Sequence, residues 1–131
     1  MILVDTSVWM DLLAEKPRRP IREEALLGFV TCGPIVQEVF QGLKPGLQSD
    51  AFRRAFLAIP ALSDPIPLAV FLSAAEIYRQ GRRRGLTIRS SVDCLIAAIA
   101  IENKVPVWHR DRDFDAIARY TALDVTRSET R

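Results

Sequence analysis

Short apolar segments alternate with segments of helical spacing along the whole chain of 131 residues. The first apolar segment, 2–5, carries the β-branched and leucine side chains that are typical of a buried strand. This alternation predicts an α/β fold with a mainly parallel sheet, because helical crossovers usually join parallel strands. A chain of this length with 49% hydrophobic residues can build one core, so we expect a single domain over 1–131.

The bounds of the elements follow from apolar spacing, caps and turn residues. We predict a minimal strand at Ile66 and longer strands over 2–5, 28–32, 105–108 and 123–126. We predict turns over 16–20 and 46–49, and helices over 8–14, 21–27, 33–42, 50–57, 68–84, 92–103 and 114–119. Thr6-Ser7 is expected to cap the first helix, Pro34 suits the start of the third, and Gly85 is expected to end the fifth.

Several classes of protein are disfavoured by the sequence. No apolar run approaches the roughly 18 residues of a membrane span. The N-terminus has no basic region before its apolar residues, so we expect a cytoplasmic protein without a signal peptide or membrane contact. Cys32 and Cys94 lie in apolar segments without CxxC spacing, which favours reduced, buried thiols. Because His109 is the only histidine, we exclude a zinc site.

Four carboxylates lie beside or inside the apolar elements, where an unpaired charge costs several kcal/mol. Asp5 closes the first strand, and Asp111 follows the strand at 105–108. Glu38 and Asp93 lie early in helices that begin at the same edge of the sheet. Because ligands of open α/β sheets bind outside the carboxyl ends of the strands, we expect all four acids at one rim.

Clustered carboxylates need a cation, because two of them about 5 Å apart repel by roughly 3 kcal/mol at an effective dielectric constant near 20. Oxygen ligands without histidine or cysteine favour Mg²⁺ or Mn²⁺. Such a site suits phosphodiester hydrolysis, in which a metal-activated water is the nucleophile and no serine, cysteine or histidine is required. The pattern therefore indicates a metal-dependent hydrolase of phosphodiesters.

Taken singly, each acid also has a structural explanation. Asp93 can complement the positive end of its helix, and Asp5 can form an Asx turn as the chain leaves a strand. Glu38 can face solvent, and Asp111 can belong to a solvated loop. The agreement of all four at one rim favours the metal site.

Four segments resemble those of a known family. The opening Met1-Ile2-Leu3-Val4-Asp5-Thr6-Ser7-Val8-Trp9 resembles the first strand of PIN-domain nucleases, most of all the VapC toxins of bacterial toxin–antitoxin pairs. Residues 91–100, Ser-Val-Asp-Cys-Leu-Ile-Ala-Ala-Ile-Ala, resemble the family's central Asp-x-Leu-Ile-Ala-Ala helix. Residues 110–114 resemble its late Asp-x-Asp-Phe segment, and 37–39 its helix-borne glutamate. The resemblance covers nearly the whole chain in the family's order.

This resemblance implies a PIN-like three-layer α/β/α sandwich with a mainly parallel central sheet. It implies an endoribonuclease, the toxin of a type II toxin–antitoxin system, that cleaves RNA with Mg²⁺ or with Mn²⁺ in its place. It assigns catalysis and metal coordination to Asp5, Glu38, Asp93 and Asp111. Asp113 is a further candidate metal ligand, while the role of Asp115 stays open. The resemblance also implies a homodimer and a cognate antitoxin that covers the acidic pocket.

Candidates for substrate contact are Thr6, His109 and a group of arginines. Thr6 can hydrogen-bond a metal ligand or the scissile phosphate, or it can cap a helix. His109 stands where the family often has a small hydroxylic residue, and it can contact substrate or pack beside Trp108. The arginine cluster is either a clamp for the RNA backbone or a solvated helix end, and it consists of Arg79, Arg82, Arg83, Arg84 and Arg89. Within it, Arg82, Arg83 and Arg84 are the main candidates.

Three rival functions stay open. The first is a non-catalytic module of the same fold that binds RNA or protein. The second is a phosphatase with Asp5 as nucleophile, which typically has a second aspartate where Ser7 stands. The third is a receiver-like phosphoacceptor domain, which needs a lysine after a late strand, whereas Lys104 precedes its strand.

Overall fold

The computed structural model describes residues 1–13, 23–44, 46 and 50–127. Within these ranges the strands are β1 Ile2–Val4, β2 Phe29–Val30, β3 Val107–His109 and β4 Val125–Arg127. The helices in the same ranges are α1 Thr6–Leu12, α2 Glu23–Leu26, α3 Gly33–Gly42, α4 Asp50–Leu57, α5 Leu68–Arg83, α6 Ser91–Asn103 and α7 Arg112–Ala118. Helices separate each strand from the next along the chain, as predicted, with α3 to α6 between β2 and β3.

The strands form one sheet in the order β2-β1-β3-β4, and every pair of neighbours is parallel. The chain leaves β1 towards β2 and leaves β3 towards β4, so its direction across the sheet reverses between β1 and β3. A crevice therefore opens there at the carboxyl ends of the strands. Right-handed crossovers in opposite directions put the following helices on opposite faces of the sheet. The predicted three-layer α/β fold with a parallel sheet is confirmed.

The core lies between the sheet and the helices, and α6 is its central helix. Leu3 and Val4 of β1 and Val107 of β3 are completely buried. On α6 the buried side chains are Asp93, Cys94, Ile96, Ala97, Ala98, Ile99 and Ala100. The three alanines let neighbouring elements approach α6 closely. The apolar stretch of α6 is therefore buried nearly all round, and the buried Asp93 lies in its first turn.

Several element bounds differ from the predicted ones. Helix α1 begins at Thr6, because Asp5 is its cap in place of Thr6-Ser7. Helix α7 begins at Arg112, because Asp111 caps it, so Asp113 and Asp115 lie on a helix.

The predicted minimal strand at Ile66 is wrong, because that described residue lies outside the strands. A bridge between Thr31 and Ala61 forms instead. The predicted turn over 16–20 lies outside the described residues, as do residues 47–49 of the second predicted turn. The helices in the described part of the chain are all too short or too polar to cross a membrane.

Candidate active site

Asp5 lies at the carboxyl end of β1, where the start of α1 holds its side chain. Its Oδ2 accepts hydrogen bonds from the backbone N–H of Ser7 at 3.1 Å and from Ser7 Oγ at 2.6 Å. Ser7 Oγ in turn accepts from the backbone N–H of Arg110 at 3.0 Å, which ties the ends of β1 and β3 together. The Asp5 side chain is buried, and burial is the main reason why its pKa is raised above the ordinary value.

Three further carboxylates converge where α6 and α7 begin. One oxygen each of Asp93, Asp111 and Asp113 lies within 4.8 Å of the others, a spacing that suits a bound metal ion. Asp93 is in the first turn of α6, and its backbone N–H donates to the capping Ser90 Oγ at 3.4 Å. Asp111 caps α7 through its Oδ1, which accepts from the Asp113 N–H at 2.9 Å. Two helix N-termini thus bring their positive ends to the acids.

Asp113 is held by the segment that leads into α6. Its Oδ2 accepts from the backbone N–H groups of Arg89 at 3.1 Å and Ser90 at 3.3 Å. The Arg89 guanidinium lies against the same acids, with Nη2 at 3.6 Å from Asp111 Oδ1 and Nε at 3.7 Å from Asp113 Oδ1. Asp113 is therefore an integral member of the cluster, and Arg89 is the arginine that reaches it.

Among these acids, Asp93 is the one whose surroundings most disfavour the ionised form of its carboxyl. Burial raises its pKa to about 9, together with the charges of Asp111 and Asp5 and a hydrogen bond with Asp113. Its buried Oδ2 has no hydrogen-bond partner among the described residues. Without a metal, the Asp93 carboxyl therefore holds its proton to a higher pH than an exposed aspartate does. An all-oxygen set with one buried, unsatisfied oxygen fits a hard divalent cation.

Glu38 lies on α3 and contacts the start of α1. Its half-buried carboxylate accepts a hydrogen bond from Thr6 Oγ1 at 2.9 Å, which links it to the residue after Asp5. The buried thiol of Cys32 feels the charges of both Asp5 and Glu38, although burial is the main cause that raises its pKa to about 12. The structure thus brings Glu38 to the segment that carries Asp5.

His109 is completely buried and packs on Phe114, with 5.3 Å between the ring centroids. Its Nδ1 accepts from the backbone N–H of Asp111 at 3.0 Å, and its Nε2 lies 3.2 Å from Asp115 Oδ1. A ring without exposed surface cannot reach a substrate in this conformation. The prediction that His109 binds substrate is therefore not supported, and Asp115 lies beside His109.

The three arginines predicted to bind substrate lie at the end of α5. Arg83 Nη2 is 2.8 Å from Glu76 Oε1 on the same helix, and the Arg84 guanidinium lies 5.6 Å from the centre of the Tyr120 ring. Arg82 is exposed. Arg89 belongs to the same sequence cluster, and its guanidinium lies against Asp111 and Asp113.

Known proteins resemble the chain over nearly its whole length. The family model of the PIN domain matches residues 2–120. Ribonuclease VapC11 of Mycobacterium tuberculosis is 41% identical over 132 aligned residues, which cover 94% of this chain and 96% of the relative. A VapC ribonuclease of Mycobacterium bovis has the same identity and coverage.

Solved structures share the fold at lower identity. VapBC2 of Rickettsia felis, solved with a promoter DNA fragment, superposes with a TM-score of 0.72 at 18% identity, covering 98% of this chain and 100% of that one. VapBC-5 of Mycobacterium tuberculosis, from the VapBC family of toxin–antitoxin systems, has a TM-score of 0.63 at 23% identity and covers 96% of this chain and 97% of its own.

Proposed function

Because the chain belongs to the PIN-domain family and to its VapC-type ribonucleases, we propose that it is a Mg²⁺-dependent endoribonuclease, with Mn²⁺ able to replace Mg²⁺. We propose that it acts as the toxin of a type II toxin–antitoxin pair, as a single domain over 1–131 in the cytoplasm. The family resemblance predicted from four sequence segments is confirmed by the match over residues 2–120 and by the 41% identity to VapC relatives.

In this proposal, Asp5, Asp93, Asp111 and Asp113 surround the metal, and Glu38 completes the acidic site from α3. The observation that carries it is the buried Asp93, whose Oδ2 has no hydrogen-bond partner in the described part of the chain and which lies within 4.8 Å of two other carboxylates. This arrangement would be unfavourable without a cation, because the buried Asp93 must either ionise beside Asp111 and Asp113 or keep a proton that an exposed aspartate loses. It becomes favourable when a cation balances the charges of the carboxylates.

A divalent metal, when bound, supplies a Lewis acid that activates a water molecule and offsets negative charge on the phosphate. The residues of the chain supply the geometry. Ser7 orients Asp5, and the N–H groups of Arg89 and Ser90 orient Asp113. Thr6 Oγ1 holds the Glu38 carboxylate at 2.9 Å and thereby fixes Glu38 next to Asp5.

RNA binding requires positive charge near the acids. We propose that Arg82, Arg83 and Arg84 contact the RNA backbone at the end of α5, with Arg83 contributing least because Glu76 already neutralises it. Contacts of this kind position the substrate without reading its sequence. The loop 84–90 leads from these arginines directly to the Asp93 helix.

We propose two protein partners, a cognate antitoxin that covers the acidic pocket and a second copy of the chain. The solved structures that share the fold come from toxin–antitoxin systems, which supports the antitoxin. Helix α5 exposes the large apolar side chains Leu68, Phe71 and Leu72, which supports a protein contact on that face. Light scattering of the purified chain tests the dimer, for which we expect twice the mass of one chain.

The deciding experiment is cleavage of a random-sequence RNA pool by the purified protein in Mg²⁺ and in Mn²⁺. We expect cleavage with either metal, none in EDTA, and a loss of at least about 100-fold in Asp93→Asn, since metal-site electrostatics are worth several kcal/mol. Asp124→Asn is the matched control, because Asp124 is exposed and the change in charge is the same.

Cleavage that persists in EDTA or in Asp93→Asn would contradict a metal-dependent nuclease and indicate a contaminating enzyme. RNA that binds but stays intact under all conditions would favour the non-catalytic module of the same fold. Equal losses in Asp93→Asn and Asp124→Asn would show that net charge, and not the site, determines cleavage.

A further inference from the structure

We propose that Arg89 is an exchangeable cation of the acidic site. In the metal-free protein its guanidinium neutralises Asp111 and Asp113, and in the metal-loaded protein it releases them and binds a phosphate oxygen of the RNA. This inference rests on the proposed function, and it assigns to Arg89 a contact with the phosphate at the metal site, in addition to the RNA backbone contacts proposed for the arginines at the end of α5.

The backbone of Arg89 lies beside the acids independently of the conformation of its side chain. Asp113 Oδ2 accepts from the N–H groups of both Arg89 and Ser90, at 3.1 and 3.3 Å. Asp113 itself is only 3% exposed, so these hydrogen bonds are shielded from water. The Arg89 side chain, in contrast, is 55% exposed. The backbone of Arg89 is therefore held in place, while its side chain can turn towards solvent.

The ion pairs of Arg89 are looser than others in the described part of the chain. Its guanidinium nitrogens lie 3.6 Å from Asp111 and 3.7 Å from Asp113, whereas Arg110 Nη1 lies 2.7 Å from Asp11 Oδ1. Charge-assisted hydrogen bonds are typically about 2.7–2.9 Å long. Arg89 thus acts on the acids as a nearby charge without being bound to them by short hydrogen bonds.

A metal and Arg89 would compete for the charge of the same carboxylates, Asp111 and Asp113. A divalent cation between Asp93, Asp111 and Asp113 would lie a few ångströms from the guanidinium and repel it. A phosphate at that metal has the opposite effect, because it attracts a guanidinium and can accept two hydrogen bonds from it. Metal binding would therefore weaken the attraction between Arg89 and the carboxylates. The phosphate of the RNA would then become the preferred partner of the guanidinium.

The test uses Arg89→Gln in the full chain and two readouts with opposite expected signs. Binding of Mn²⁺ without RNA, measured by electron paramagnetic resonance of the free ion at pH 8.5, should become at least about threefold tighter, because a competing cation is lost. Cleavage of a random-sequence RNA pool at saturating Mn²⁺ should fall at least about tenfold in kcat/KM, because a phosphate contact is lost.

Two further variants sharpen the result. Arg119→Gln makes the same change in charge at an exposed position beyond the far end of α7 and should alter neither readout. Arg89→Lys keeps the charge but not the forked donor geometry, so it should keep the Mn²⁺ affinity of the unchanged protein and lose part of the cleavage.

Weaker Mn²⁺ binding together with slower cleavage in Arg89→Gln would assign Arg89 a structural role and overturn the proposal. Unchanged Mn²⁺ affinity would refute the competition, and unchanged cleavage would refute the phosphate contact. An unchanged protein that neither binds Mn²⁺ nor cleaves RNA would refute the proposed function itself. A protein that does both, with no divergence in Arg89→Gln, would refute only the role of Arg89.

Discussion

A carboxylate that caps a helix uses one oxygen for backbone N–H groups and still has a second oxygen. At the scale of residues, this explains how the acids of the site serve two purposes. Asp5 Oδ2 accepts from the Ser7 N–H, Asp111 Oδ1 accepts from the Asp113 N–H, and Asp113 Oδ2 accepts from two N–H groups before α6. Capping fixes the direction of each carboxylate, which is the orientation that a metal site requires.

His109 also helps to orient these carboxylates, through the backbone of Asp111. Its Nδ1 accepts the Asp111 N–H, which fixes the backbone at the cap of α7. His109→Asn retains an acceptor at the δ position, whereas His109→Gln moves the polar group farther out. We expect both variants to lose about 1–3 kcal/mol in urea unfolding, because the ring is fully buried. Only His109→Gln should also lose Mn²⁺ affinity by several-fold.

Equal losses of Mn²⁺ affinity in the two His109 variants would contradict the positioning role, since packing of the ring would then be the only property that matters. His109→Asn is the matched control for His109→Gln, and the Mn²⁺ affinity of each variant is compared with that of the unchanged protein. The unfolding measurement identifies any variant that fails to fold, so that a loss of metal affinity is interpreted only for folded protein.

The sequence predicts Asp5, Asp93 and Asp111 as members of one cluster because each follows or begins an apolar element. It does not distinguish between an Asx turn or cap and a metal ligand, because a carboxylate that accepts an N–H group through one oxygen still has a second oxygen. It does not single out Arg89 either. The N–H groups of Arg89 and Ser90 meet Asp113 more than 20 residues later in the chain, and spacing alone does not reveal that contact.

At the scale of elements, the contact between α5 and the end of α7 depends on one glycine. Gly81 lies in α5, and a Cβ built on it would be 2.7 Å from Tyr120 Oη and 3.3 Å from Ile88 Cγ1. Tyr120 Oη in turn donates to the Ile77 carbonyl at 2.7 Å. A side chain at position 81 would therefore push Tyr120 off the helix that it holds.

We expect Gly81→Ala to destabilise the protein by about 1–3 kcal/mol, because the clash exceeds the roughly 1 kcal/mol by which alanine is the better helix former. Urea unfolding checks this value. Tyr120→Phe removes the oxygen nearest to the new Cβ, so the double variant should lose less than the sum of the two single variants. Strict additivity of the losses would show that Tyr120 is not the obstacle.

Helix α5 and the Gly85 turn after it follow from local spacing and were predicted. The bridge between Thr31 and Ala61 was not, because it depends on a contact across 30 residues. Thr31 N–H donates to the Pro60 carbonyl at 2.9 Å, and the Leu62 N–H donates to the Thr31 carbonyl at 2.8 Å. A pairing of this kind is set by where the connection 58–67 lies and not by the β-propensity of Ile66.

At the scale of the whole molecule, the strand order β2-β1-β3-β4 is what brings the acids together. The alternation of elements predicts a parallel sheet but not this order. With β1 next to β3, Asp5 and Asp111 leave adjacent strands at the same edge, and the Asp5 N–H bonds directly to the Trp108 carbonyl at 2.9 Å. Helix α6 then supplies Asp93 from the centre of the core.

This convergence couples the stability of the metal-free fold to pH. Asp93 has a pKa of about 9 in the folded chain, whereas an aspartate of the unfolded chain has a pKa of about 3.9. Between these values the folded state holds a proton that the unfolded state has lost. The free energy of unfolding therefore falls as the pH rises, by up to about 1.4 kcal/mol per pH unit from this group. The pKa of Asp5 is also raised, so Asp5 contributes to the same decrease.

Urea unfolding in EDTA from pH 5 to pH 9 tests this dependence. We expect Asp93→Asn to lower the slope, because the amide does not titrate, and we expect Asp124→Asn to leave it unchanged. A divalent metal at about 100 times its Kd should add about 2.7 kcal/mol to the unchanged protein. Its apparent affinity should rise with pH, because the metal displaces the Asp93 proton. A stability that rises with pH in EDTA, or an equal slope in Asp93→Asn, would show that Asp93 is ionised in the metal-free fold.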